Sequence, residues 1–175
     1  MVAQTPRGLV IVYTGDGKGK TTAALGLAMR AVGRGLRVAF IQFIKAEAVG
    51  EHAAAGRLSP ELEVFRMGHG FIVGPATPDH LAAAREALDF LRRCLRGGRY
   101  DMVVADEILD AVGLKLVAPE EAESLLADRP PAVHLVLTGR GAWPGLIERA
   151  DLVTEMRSLK HPFERGVEAQ EGIEF

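Results

Sequence analysis

Short apolar runs alternate along the chain with stretches whose apolar residues recur at helical spacing. Strands are predicted at residues 9–13, 38–44, 63–67, 102–105, 133–138 and 152–156. The second is nearly continuous in apolar side chains (Val-Ala-Phe-Ile-Gln-Phe-Ile), as expected of a strand covered on both faces. Helices are predicted at residues 20–34, closed by Gly33 and Gly35, and at 81–96, where Leu81, Ala84, Leu88, Leu91 and Leu95 keep the 3.6-residue period. Shorter helices are expected within 46–58 and at 108–114, 119–127 and 144–150, with a final short strand at 173–175. Residues 68–78 read as a loop, yet Phe71, Ile72 and Val73 make it unusually apolar. Strand–helix alternation over this length predicts one α/β domain over residues 1–175 with a mainly parallel sheet. Its ligand should lie at the carboxyl ends of the strands.

Three of those strand ends carry candidate chemistry. The first runs into Thr14-Gly15-Asp16-Gly17-Lys18-Gly19-Lys20-Thr21-Thr22 and then an alanine-rich helix, the strand–loop–helix order of a phosphate-binding loop. Glycines let successive backbone N–H groups face one concavity and let phosphate oxygens approach closely. The helix start adds unpaired N–H groups and the positive end of its dipole. Lys20 would supply a point charge, and the Thr21 hydroxyl would hold Mg²⁺. Thr14 stands where the usual pattern has glycine. The fourth strand ends in Asp106-Glu107, where a phosphate-loop protein needs a carboxylate for the same Mg²⁺; the pattern leaves open which of the two serves. The fifth ends in Thr138-Gly139-Arg140-Gly141, and Arg140 could reach a phosphate.

Composition narrows the classes. The 175 residues are 48% apolar and 25% charged, values of a globular protein, and the net charge of −2 argues against a broad nucleic-acid surface. One cysteine, Cys94, excludes an internal disulfide framework and suits a reducing compartment. No apolar run reaches the ~18 residues of a membrane span, and residues 1–8 lack a signal-peptide core, so a cytoplasmic location is expected. The five histidines show no metal-ligand spacing, and no zinc site is expected. Asp110, Lys115 and the Glu120, Glu121, Glu123 cluster read as solvated helix faces. These features alone reach as far as a Mg-nucleotide enzyme or ATPase.

Several strings together resemble the P-loop type of ATP:corrinoid adenosyltransferases. They are Tyr13 through Ala24, Gln42-Phe43-Ile44-Lys45, Gly68-His69-Gly70-Phe71, Asp101 through Glu107, Thr138 through Gly141, and the tail Lys160-His161-Pro162-Phe163 with Gly166 through Phe175. The tail is the most diagnostic string, and the family also carries threonine at the Thr14 position. The resemblance implies a RecA-like P-loop fold, a homodimer, and ATP with Mg²⁺. It further implies a reduced Co(I) corrinoid that attacks the 5′ carbon of ATP as triphosphate leaves, in adenosylcobalamin biosynthesis or salvage. By the same resemblance, Gly15 through Thr22 would hold the triphosphate, Thr21 and Glu107 the metal, and Phe71 would lie against the corrin. A transient electron-donor protein would keep the cobalt reduced. Many members carry a charged N-terminal segment over the corrin site; here eight residues precede the first strand. Val73 stands where well-known relatives have tryptophan. The competing readings are a γ-phosphoryl-transferring ATPase or kinase with Glu107 as base, and a binding module without turnover. The apolar 71–73 loop favours a large flat ligand over the first. The intact Lys20, Thr21 and Asp106-Glu107 set argues against the second.

Overall fold

A computed structural model describes residues 7–70, 72 and 74–174. In chain order the elements are β1 (Val10–Thr14), α1 (Lys20–Val32), β2 (Val38–Gln42), α2 (Gly50–Gly56), β3 (Leu62–Arg66) and α3 (Pro78–Arg96). There follow β4 (Met102–Asp106), α4 (Ile108–Gly113), α5 (Pro119–Asp128), β5 (His134–Thr138), α6 (Pro144–Arg149), β6 (Leu152–Glu155) and a 3₁₀ turn at Pro162–Arg165. The six strands form one sheet in the order β3-β2-β4-β5-β1-β6, and every pairing is parallel. This is the α/β, RecA-like arrangement expected of a phosphate-loop protein.

The two-residue period of the strands divides the core into two layers. Ala39 and Ile41 of β2, Val103 and Ala105 of β4, and Leu135 and Leu137 of β5 face α3, which contributes Leu88, Leu91 and Leu95. Phe40, Met102, Val104 and Val136 project to the other side and meet Ala24, Ala28 and Ala31 of α1. Alanine at four- and three-residue spacing gives α1 a small-residue stripe, so its backbone packs close to the sheet while Lys20 and Thr21 sit at its first turn. Covered on both faces, β2 and β4 are buried at every position. β6, at the sheet edge, is mostly exposed.

Most boundaries shift by one or two residues from the sequence reading, with β2 ending at Gln42 and α1 at Val32, and two larger differences have local causes. α3 begins at Pro78, three residues before its apolar period, because Thr77 caps it and Pro78 fits the first helical position. Residues 173–174 form no strand: both amides close onto the Gln170 carbonyl, at 3.1 Å from Ile173 and 2.8 Å from Glu174, which removes them from any ladder. Phe175 lies outside the described residues.

Candidate active site

Because β1, β5, β4 and β2 are neighbours, their carboxyl ends open onto one cleft of about 470 Å³. The phosphate loop forms its floor. Gly15 and Gly19 carry φ values of 96° and 115°, left-handed conformations that glycine adopts without a Cβ penalty. A Cβ at Gly15 would also meet the Met156 carbonyl at 2.3 Å, so the loop is seated tightly on the chain leaving β6. Gly17 N–H donates to that same carbonyl at 2.8 Å. Lys20 folds back over its own loop, with Nζ donating to the carbonyls of Gly15 (2.7 Å) and Gly17 (2.9 Å). Burial, followed by the nearby Arg140, holds its pKa below the ordinary lysine value. Thr14 faces elsewhere: its hydroxyl accepts from the Ala142 amide at 3.2 Å and ties the loop to the segment after β5. The Asp16 side chain is exposed.

The acidic pair stands beside Thr21. Asp106 is completely buried; its Oδ1 accepts from the hydroxyls of Thr21 (3.0 Å) and Thr138 (2.7 Å). Glu107 adopts φ 64°, a left-handed conformation costing a non-glycine residue about 1–2 kcal/mol. That turn is held by its N–H, which donates to Thr138 Oγ1 at 2.8 Å. Oε2 of Glu107 is buried without a hydrogen-bond partner among the described residues. Burial, then the neighbouring Asp106 charge, pushes the Glu107 pKa up to about 7; burial also raises that of Asp106.

Arg140 hangs over the loop, its Nε 3.9 Å from Asp16 Oδ1 and its Nη1 3.4 Å from Asp110 Oδ1. Asp110 therefore belongs to the cleft and not to a solvated face. Gly139 makes this possible, since a Cβ there would strike the Asp110 amide at 2.7 Å. The Glu cluster is likewise engaged in part: Glu121 Oε2 accepts from the Ala118 amide at 3.0 Å, and Glu123 Oε1 from Trp143 Nε1 at 2.5 Å.

Further residues line or adjoin the cleft that the sequence reading gave no role there. Lys45, after β2, pairs with Glu51 of α2 at 2.9 Å, and His52 reaches Gln42 at 2.7 Å. The tail crosses the cleft, where Lys18 Nζ bonds the Ile173 carbonyl at 3.2 Å and pairs with the Glu174 carboxylate. Leu25, Ile44, Ile72, Leu114 and Ile173 supply an apolar wall. Phe71 and Val73, assigned to the corrin by resemblance, lie outside the described residues.

The family described as ATP:corrinoid adenosyltransferase BtuR/CobO/CobP matches residues 6–175. The chain is 41% identical over 180 residues to a Pseudomonas aeruginosa protein named corrinoid adenosyltransferase, covering 99% of this chain and 86% of that one. It is 40% identical to Escherichia coli K12 corrinoid adenosyltransferase, with 99% of this chain and 88% of that one covered. Salmonella typhimurium corrinoid adenosyltransferase CobA shows the same 40% identity over 99% and 88% of the two chains. A phosphate loop, an adjoining acidic pair and an apolar wall in one cleft, together with likeness over nearly the whole length, place this chain in the ATP:corrinoid adenosyltransferase family.

Proposed function

We propose that the cleft transfers the 5′-deoxyadenosyl group of ATP to the Co(I) centre of a reduced corrinoid, with triphosphate as leaving group. The observation that carries this is the combination in one cleft of a phosphate loop and the apolar side chains Leu25, Ile44, Ile72 and Leu114. The backbone from Gly15 to Thr22, with Lys20 and Arg140, binds the triphosphate. As negative charge grows on the departing oxygen, these donors oppose it without having to reorganise. The apolar wall excludes water and orients the 5′ carbon toward the corrin, so the displacement needs positioning more than proton transfer. Phe71 and Val73 are assigned to the corrin face on the strength of the family resemblance.

Mg²⁺ fits the residues present. The Thr21 hydroxyl lies 3.0 Å from Asp106, and Glu107 brings a buried oxygen that has no other partner among the described residues. Among the described residues no three His, Cys, Asp or Glu side chains gather as a cage, and Mg²⁺ is commonly held by one or two carboxylates plus substrate phosphates. Thr21, Glu107 and Asp106 would hold it, and when bound it neutralises charge on the triphosphate.

The protein is further read as a cytoplasmic homodimer served by a transient electron-donor protein. The exposed apolar side chains Leu152, Leu159 and Phe163 support a second copy, and no described helix is long and apolar enough to cross a membrane. The test is incubation with Mg-ATP and chemically reduced cobalamin. Triphosphate and a carbon–cobalt bond are expected; orthophosphate would instead mark a γ-phosphoryl enzyme, and unchanged ATP a binding module.

A further inference from the structure

Gln42 closes β2 directly opposite Asp106 in the β2–β4 register, and it is completely buried. Its Nε2 lies 3.3 Å from Asp106 Oδ2 and 3.4 Å from Glu51 Oε1, while its Oε1 lies 2.7 Å from His52 Nε2. The surroundings decide which end of this amide faces which partner. Glu51 is kept ionised by Lys45 at 2.9 Å, and ionised carboxylates only accept, so the NH₂ end must face Glu51 and Asp106. Oε1 then requires a donor, and the only one among the described residues is His52 Nε2–H. In a neutral ring that leaves Nδ1 as an acceptor, and the Val49 N–H donates to it at 2.9 Å. Nδ1 also lies 3.2 Å from the Val49 carbonyl; with Nε2 already donating to Gln42, only a charged ring could donate there as well. Burial lowers the His52 pKa and so favours the neutral ring. The chain therefore has one polarity, from Val49 through His52 and Gln42 to Asp106.

Both Asp106 oxygens are thereby committed: Oδ1 to the hydroxyls of Thr21 and Thr138, Oδ2 to Gln42. We propose that Gln42, held in one orientation by His52 of α2, is a positioning residue that fixes the rotation of the Asp106 carboxylate beside Thr21. Asp106 would otherwise turn about its last torsion, which has a broad, roughly two-fold preference. The amide also joins Asp106 to the Glu51–Lys45 pair, so α2 sets the geometry of the cation and triphosphate site through Gln42. This inference rests on the reading of Asp106 as part of the Mg²⁺ site.

Two measurements test it. In the ligand-free wild-type protein, nitrogen-15 NMR at neutral pH should show His52 as the Nε2–H tautomer; the Nδ1–H tautomer would reverse the chain and overturn the proposal. The second is Mn²⁺ affinity of the ATP complex, read by paramagnetic resonance, alongside ATP affinity without metal. Gln42→Met keeps the volume and removes both donors. It should weaken Mn²⁺ on the order of ten- to a hundredfold, the scale of losing a partner that orients a metal-holding carboxylate, and leave metal-free ATP affinity within about twofold. His52→Ala should weaken Mn²⁺ less, and its effect should vanish in the Gln42→Met background because it acts through that amide. Additive effects, or unchanged Mn²⁺ affinity in Gln42→Met, overturn the positioning role. Asp106→Asn separates the two levels. If it weakens Mn²⁺ while Gln42→Met does not, this inference alone fails; if it leaves Mn²⁺ unchanged, the metal-site reading fails and this inference with it.

Discussion

In the proposed triphosphate site Lys20 would supply charge to the ligand and little to the core: its ammonium bonds two loop carbonyls, and its helix is anchored by Ala24, Ala28 and Ala31. Lys20→Ala should leave the melting temperature near that of wild type while turnover falls at least ~10²-fold, the scale of removing one preorganised donor. Near-normal turnover in the folded variant would remove the phosphate assignment. Glu107 makes a pH-dependent prediction. Its folded-state pKa of about 7 lies above the ordinary glutamate value, so the folded state holds the proton more tightly than the unfolded chain. The resulting stabilisation is complete below the unfolded pKa and is lost as pH rises through about 7. In Mg²⁺-free buffer, Glu107→Gln should therefore gain stability relative to wild type at pH 8 and lose that advantage at pH 4, as followed by thermal melts. The same variant should bind Mg²⁺ more weakly. A constant stability difference across this pH range would contradict the burial argument.

At the scale of elements, the tail at residues 172–174 and Ile72 of the connection before α3 both line the cleft. Glu174 pairs with Lys18 of the phosphate loop, placing a carboxylate on a cation that the triphosphate would otherwise engage. Glu174→Gln should tighten ATP binding by up to about fivefold, because a partly exposed ion pair is worth roughly 0–1 kcal/mol. Calorimetric titration of ATP would show it, and weaker binding would instead mark the tail as a direct ATP contact. The 68–77 loop carries the corrin assignment made by resemblance. Phe71→Ala should reduce the four-coordinate fraction of cob(II)alamin bound with ATP, and Val73→Trp should raise it by adding apolar area at roughly 25 cal/mol per Å². The optical or paramagnetic-resonance spectrum of Co(II) reports that fraction, and an unchanged spectrum in Phe71→Ala would take the loop away from the corrin.

The whole molecule depends on a sheet packed on both faces. Leu91, completely buried between α3 and the sheet, makes the contrast with Lys20. Leu91→Ala should cost about 2–5 kcal/mol, against a melting shift of roughly 2–4 °C per kcal/mol for a protein of this size. A shift under a few degrees would show that α3 is not a principal support of the fold. Much of this architecture was legible from residues 9–22, 38–44 and 102–107, because an apolar run buried on both faces and a glycine-rich loop before a helix are local patterns with local causes. That Thr21, Asp106, Glu107 and Arg140 gather at one end of the sheet was legible for the same reason: in parallel α/β sheets, carboxyl ends share one side. Strand order was not local. Only the placement of β2 beside β4 sets Gln42 opposite Asp106, 64 residues away in the chain, and brings His52 into the same buried chain. Asp110 looked like a solvated helix residue until Gly139 brought the β5 loop against it, and residues 173–174 looked like part of a short strand until their amides closed onto Gln170. Hydrophobic period and backbone stereochemistry act between near neighbours, so the amino-acid sequence by itself determined the elements and the phosphate loop. Hydrogen-bond partners for buried polar groups are chosen by whatever the packed sheet brings within 3 Å or so. The tertiary structure alone therefore decided which side chains hold the acidic pair in place.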